Sequence, residues 1–146
     1  MNLRAVAQML GVVLLLMAGF LAVPALVGAA YEEWEAAVDC GLAALVVALL
    51  GGLVTAVFRG ATRDRERRPD YFRREGLATV GLAWLVGGVA GSLPYLFHGV
   101  FSSPIDAFFE SVSGLTTTGS TVMAAEAIDD MPHAIAFWRS FSQWLG

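Results

Sequence analysis

Charged side chains are scarce in this sequence. Only 15% of its 146 residues are charged and 57% are hydrophobic, whereas a soluble domain has roughly a quarter of its residues charged. Cysteine is nearly absent as well: Cys40 is the only one, so an internal disulfide is excluded and a small buried side chain is its expected role. Such a composition favours a protein that resides in a bilayer.

The residue patterns of enzymes are also missing. The sequence has no Ser/His/Asp set, no cluster spaced for metal ligands and no phosphate-binding glycine loop before a soluble helix. We therefore expect no enzymatic activity, no cofactor and no nucleic-acid partner.

Long apolar stretches are what the chain has instead. Residues 3–27, 36–58 and 76–97 are each long enough to cross about 30 Å of hydrocarbon, and a fourth stretch begins near Pro132 and is expected to be cut short at Gly146. The first stretch could be a cleaved signal peptide. Its length and the span that follows favour a retained helix. The predicted fold class is therefore an all-α integral membrane protein.

Basic and acidic residues lie in different segments between the predicted spans. All nine basic residues are Arg, and those of the loop between the second and third spans are Arg59, Arg63, Arg65, Arg67, Arg68, Arg73 and Arg74. The positive-inside rule places this loop and the N-terminus in the cytoplasm, with residues 28–35 and 98–131 outside. The acidic residues gather in those outer segments. They are either ordinary solvated charges on outer loops or an acidic entrance that attracts cations.

Three units are predicted along the chain. Residues 1–58 form a transmembrane hairpin, 59–75 a cytoplasmic Arg-rich linker and 76–146 a pore repeat. The third span carries a face of small residues suited to close helix packing, namely Gly87, Gly88 and Gly91. His98 and His133 are expected as interfacial anchors, with a proton relay as the alternative.

A short helix is predicted after the third span. Ser103 and Pro104 form a helix-start pattern with Asp106, and Gly114 is a natural stop. About ten residues at 1.5 Å each give roughly 15 Å, half the hydrocarbon thickness. The negative pole of this half-helix would point inward, where a cation loses its water.

The chain must then return outward through residues 116–121, which begin with Thr116, Thr117, Thr118 and Gly119. Irregular backbone at membrane depth is tolerated where it lines a path, and carbonyl oxygens can replace a cation's hydration shell. Gly119 permits the backbone angles that keep such carbonyls aligned. The alternative for the isolated stretch is an ordinary Thr-rich turn.

Two charges lie where the membrane disfavours them. Glu110 lies in the half-helix and Arg139 in the fourth stretch. Ionisable groups at such depth usually pair with one another or with backbone groups. We expect both to support the pore loop structurally, rather than to contact a permeating ion.

Ordered motifs in the second half of the chain resemble a known family. They are Arg74-Glu-Gly76, Gly91-Ser-Leu-Pro-Tyr95, Asp106-Ala-Phe-Phe-Glu-Ser-Val-Ser-Gly-Leu-Thr-Thr-Thr-Gly119, Pro132-His133, Phe137-Trp-Arg-Ser140 and Gln143-Trp-Leu-Gly146. Together they are similar to the TrkH/TrkG potassium-uptake proteins of bacteria, within the Trk/Ktr/HKT superfamily. The leading hairpin also looks like that branch, because the related KtrB proteins lack it.

The resemblance implies four repeats of helix, pore helix, filter and helix around one pore, of which this chain holds the first. Residues 116–119 would supply one quarter of the potassium filter, and Ser120 departs mildly from the Ala that is frequent in relatives. It further implies a multi-pass protein of the bacterial inner membrane, a homodimer and a cytosolic TrkA-type nucleotide-binding subunit, with potassium as substrate and lipid as surroundings.

Three functions remain open from the sequence. The first is a channel-like potassium subunit with a filter of backbone carbonyls. The second is a carrier that couples potassium to protons or sodium, although no acid or His is clearly placed for the coupling. The third is a helical scaffold that transports nothing, in which residues 116–119 would be dispensable.

Overall fold

The computed structural model describes residues 3–59 and 69–146, with side chains described outside 60–73. Over these ranges the chain forms helices and no strands: α1 (Leu3–Ala30), α2 (Trp34–Val57), α3 (Pro69–Phe97), α4 (Pro104–Leu115), α5 (Ala125–Asp129) and α6 (His133–Leu145). Residues 60–68 of the predicted Arg-rich linker lie outside the described residues.

Three helices are long and apolar enough to cross a membrane, which agrees with the predicted all-α membrane fold. They are α1, α2 and the Arg74–Phe97 part of α3. The helix α3 begins at Pro69, inside the predicted linker and before the predicted span. A proline suits the first turn of a helix, where its missing N–H would have no intrahelical acceptor.

The helices α1 and α2 form a tight hairpin through two glycines. A Cβ atom built on Gly51 would lie 2.9 Å from the carbonyl oxygen of Gly11, so the two backbones approach closely at this crossing. Cys40 on α2 is fully buried, as its small apolar side chain predicts.

The glycine face of α3 receives the half-helix α4. A Cβ atom on Gly88 would lie 2.6 Å from Val112, and one on Gly91 would collide with the hydroxyl of Ser111. The indole Nε1 of Trp138 on α6 donates a hydrogen bond to the Gly91 carbonyl over 2.9 Å. The predicted close-packing face therefore holds both α4 and α6.

An apolar core of described residues joins the hairpin to α3 and α6. Its buried members include Leu21 from α1, Val47 from α2, Tyr95 from α3, and Ile135 and Trp138 from α6. The hairpin is thus packed against the repeat, which gives the polar loop after α4 a rigid support.

Candidate functional site: the polar loop after the half-helix

The half-helix α4 is present and has twelve residues, which at 1.5 Å per residue gives about 18 Å, roughly half of the hydrocarbon thickness. Ser103 occupies the predicted N-cap position with Pro104 as the first helical residue, but the Ser103 side chain makes no capping hydrogen bond. The helix ends at Leu115, one residue beyond the predicted stop at Gly114.

A Schellman motif closes the C-terminal end of α4. The Thr118 N–H donates to the Ser113 carbonyl over 3.0 Å, and the Thr117 N–H donates to the Gly114 carbonyl over 2.9 Å. Thr117 has a φ of 55°, the left-handed position that glycine usually takes in this motif. A residue with a side chain costs about 1–2 kcal/mol there. The sequence pattern gave no sign of this, because Gly114 was the expected stop.

The backbone N–H groups of residues 116–119 all turn back toward α4. They donate to the carbonyls of Val112, Gly114 and Ser113, with Ser113 accepting from both Thr118 and Gly119. Within the described ranges, no hydrogen bond reaches the carbonyl oxygens of residues 116–119. These four residues are exposed, and Gly119 has a φ of 72°. Their carbonyl oxygens are therefore available to a ligand.

The hydroxyl of Ser113 adds a further bond to this loop. Its Oγ donates to the Ser120 carbonyl over 2.6 Å, while its own carbonyl accepts from Thr118 and Gly119. Sequence reasoning did not single out Ser113, because a serine inside a helical pattern carries no signal of what its hydroxyl contacts.

Glu110 and Arg139 lie in direct contact. Arg139 Nε donates to Glu110 Oε1 over 2.7 Å, and the carboxylate is 2% exposed. Its second oxygen accepts from the Thr121 hydroxyl over 2.9 Å and from the Val122 N–H at 3.4 Å. The buried charge is thus paired and hydrogen-bonded, which burial of a carboxylate requires. Glu110 links α4, the returning segment and α6. The sequence did not indicate the contact between Glu110 and Thr121.

Two pairs of histidine and carboxylate connect the hairpin to the helices that follow it. His98 Nδ1 lies 2.9 Å from Asp39 of α2, and His133 Nδ1 lies 2.7 Å from Glu33 in the turn after α1. The ring of His133 also stacks on Tyr31 with centroids 4.1 Å apart. His98 follows the last residue of α3 and His133 is the first residue of α6, so both histidines tie helix ends to the hairpin.

Partial burial by itself raises the pKa of Glu33. Hydrogen bonds from the His133 side chain, and from the backbone N–H groups of His133 and Ala134, favour the charged carboxylate more strongly, so the pKa of Glu33 lies below its usual range. The acids around this contact line an open groove of about 580 Å³. They include Glu32, Glu35, Asp129 and Asp130.

The fold and this loop define a class of protein. Within the described ranges, three helices are long and apolar enough to cross a membrane, and a half-length helix leads into a polar return. These features define the chain as part of an all-helical, multi-pass membrane protein. The predicted resemblance to TrkH-type potassium uptake proteins is confirmed by comparison, and the chain matches their N-terminal portion.

The comparisons cover the whole chain. It is 36% identical over 147 residues to the Trk system potassium uptake protein TrkH of Escherichia coli K12, across 100% of the chain and 29% of that protein. An uncharacterized cation transporter of Methanocaldococcus jannaschii is 28% identical, across 99% of the chain and 28% of that protein. No protein-family model matches.

A solved structure agrees with the sequence comparison. The crystal structure of the potassium transporter TrkH from Vibrio parahaemolyticus matches with a TM-score of 0.86 at 36% identity, over 99% of this chain and 29% of that one. The chain therefore spans under a third of the length of the relatives that it matches.

Proposed function

We propose that this chain forms the leading hairpin and the first pore repeat of a potassium-translocating membrane protein. The observation that carries the proposal is the geometry of residues 116–119, whose N–H groups all bond to α4 while their carbonyl oxygens accept no hydrogen bond from the described part of the chain. Four carbonyls in the loop that follows the half-helix would provide one wall of a filter in which oxygen dipoles replace the water around a cation.

The charges around the loop suit a cation. The C-terminal end of α4, the negative pole of its dipole, lies beside the loop. The acids of the outer groove would raise the cation concentration near the entrance. Glu110 is neutralised by Arg139 and buried, so its proposed role is to brace the loop and not to bind the ion. Potassium is then the substrate, and we propose no cofactor and no catalysed reaction.

The proposed setting is the bacterial inner membrane, with the N-terminus and residues 59–75 in the cytoplasm and the Glu33 turn outside. The Arg-rich composition of the 59–75 segment supports this orientation. Relatives named as Trk system proteins support assembly into a larger unit. We propose a homodimer of the complete protein, surrounded by lipid, with a cytosolic TrkA-type subunit as regulator.

The test is potassium uptake by the complete reading frame in a bacterial strain that lacks its own uptake systems. Growth at low external potassium, together with rubidium or potassium flux, is the expected result. Absence of flux, with the protein present in the membrane, would refute a transport function and leave the scaffold alternative.

The conditions under which the potassium flux reverses distinguish a coupled carrier from a channel. In a channel-like protein, the direction of net flux follows the potassium gradient and the membrane potential alone. Flux that reverses only when a proton or sodium gradient is inverted would establish coupling and contradict the channel-like mechanism.

A further inference from the structure

Ser113 contacts the backbone on both sides of Gly119. Its carbonyl oxygen accepts the N–H of Thr118 over 3.0 Å and that of Gly119 over 3.4 Å. Its hydroxyl donates to the carbonyl of Ser120 over 2.6 Å. The residue is 6% exposed, so water competes little for these bonds.

We infer that Ser113 is a positioning residue that sets the direction of the Gly119 carbonyl, an inference that rests on the proposed function of the loop. The Gly119–Ser120 peptide lies between two groups held by Ser113, the Gly119 N–H and the Ser120 carbonyl. Gly119 has no Cβ atom to restrict its own rotation. The hydroxyl therefore supplies a restraint that the glycine lacks.

The other bonds of the returning segment do not replace this restraint. Glu110 binds Thr121 and Val122, which follow Ser120, and so it fixes the chain only beyond the Gly119–Ser120 peptide. The side-chain bonds of Thr116 go to the Val112 carbonyl and to Thr118, both before Gly119. The hydroxyl of Ser113 is the described side-chain donor that reaches the Ser120 carbonyl.

The chain provides a matched control on the same helix. Ser111 is also a buried serine of α4, 1% exposed, and its hydroxyl has no hydrogen-bond partner among the described residues. Removing either hydroxyl deletes one oxygen from the buried face of the same helix. Only Ser113→Ala removes a bond to the loop, while the backbone acceptor of residue 113 stays in place.

The experiment compares Ser113→Ala, Ser113→Thr and Ser111→Ala in the complete protein, each normalised to its amount in the membrane. Uptake is measured over a range of potassium concentrations and in competition with sodium. Loss of one hydrogen bond changes an equilibrium about two- to tenfold. We therefore expect Ser113→Ala to raise the KM for potassium and lower the preference over sodium within that range. Ser113→Thr, which keeps a hydroxyl, and Ser111→Ala are expected to match the wild type.

A purely structural role would lower the maximal rate with the amount of folded protein, and leave KM and ion preference unchanged. That result for Ser113→Ala, or an equal shift in Ser113→Thr, would overturn the assignment of the hydroxyl. If the wild-type protein carried no potassium, the proposed function would fail instead. Potassium transport with normal selectivity in Ser113→Ala would reject the positioning role of Ser113 and leave the proposed function intact.

Discussion

Glu33 binds the start of helix α6, 100 residues away from it in the sequence. Its Oε1 lies 2.7 Å from His133 Nδ1 and accepts the His133 N–H over 3.1 Å, while its Oε2 accepts the Ala134 N–H over 3.3 Å. A carboxylate at this position accepts hydrogen bonds from N–H groups that have no acceptor within the helix. Its negative charge also interacts favourably with the positive end of the helix dipole. The leading hairpin thereby fixes α6, whose Arg139 binds Glu110 of α4.

Low pH should weaken the contact between Glu33 and α6, and Glu33→Gln should remove this dependence of stability on pH. The pKa of Glu33 is lower in the folded protein than in the unfolded chain, so its stabilising effect is complete above the unfolded pKa, about 4.3. The effect is lost as the pH falls through the lower folded value. We expect the melting temperature of the wild type to fall more steeply below about pH 4.3 than that of Glu33→Gln.

Thermal unfolding in detergent between about pH 3 and pH 6 covers this window. Glu32→Gln is the matched control, because Glu32 lies in the same turn and its side chain makes no hydrogen bond in the part of the chain that the structure describes. Identical pH profiles for the wild type and Glu33→Gln would show that the contact contributes nothing to stability.

The pair of Glu110 and Arg139 should behave as a coupled unit. Removing one partner of a buried ion pair costs about 3–5 kcal/mol, because the remaining charge is left buried without compensation. We expect Glu110→Gln and Arg139→Met each to lower the free energy of unfolding strongly, and the double variant to lose less than the sum. Chemical or thermal unfolding of the four proteins measures the coupling. Strictly additive losses would contradict a direct interaction.

The spans and the half-helix could be predicted because their signals are local. Apolar length marks α1 to α3, and Pro104 with Gly114 nearly delimits α4. The contacts of Glu33 could not be predicted, since they join residues 100 positions apart without any periodic pattern.

The backbone conformation at the end of α4 could not be predicted from the sequence either. Thr117 takes a left-handed conformation that its β-branched side chain disfavours, because the closing bonds to Ser113 and Gly114 require it. The hydrogen bonds that close the end of α4 therefore override the conformational preference of this residue. The role of Ser113 could not be predicted either, because the contact of its hydroxyl depends on where the chain returns.

The orientation of the chain can be tested by cysteine labelling. The Arg-rich composition of residues 59–75 predicts that Glu66 lies in the cytoplasm and Glu32 outside. An impermeant thiol reagent applied to intact cells should label Glu32→Cys and should reach Glu66→Cys only after the membrane is permeabilised. Cys40 is buried and provides little background. The reverse pattern would invert the proposed topology and put the acidic groove on the cytoplasmic side.

A side chain at residue 119 should impair ion preference through the backbone. Gly119 has a φ of 72°, and a Cβ atom there would meet only Gln143, at 4.0 Å, so space is not the limit. A residue other than glycine pays about 1–2 kcal/mol in this conformation. Relief of that strain would tilt the Gly119 carbonyl away from the ion. We expect Gly119→Ser in the complete protein to reduce potassium uptake at low external potassium and to admit relatively more sodium.

Gly99 provides the control for strain alone. Its φ is 74° and a Cβ atom there would meet nothing within 4 Å, yet it lies in the turn after α3, outside the filter. Gly99→Ser should therefore lose a similar amount of stability and keep the preference for potassium. Flux competition between potassium and sodium distinguishes the two variants. If Gly119→Ser retained the wild-type preference, or if both variants lost it equally, the Gly119 carbonyl would have no special part in selecting the ion.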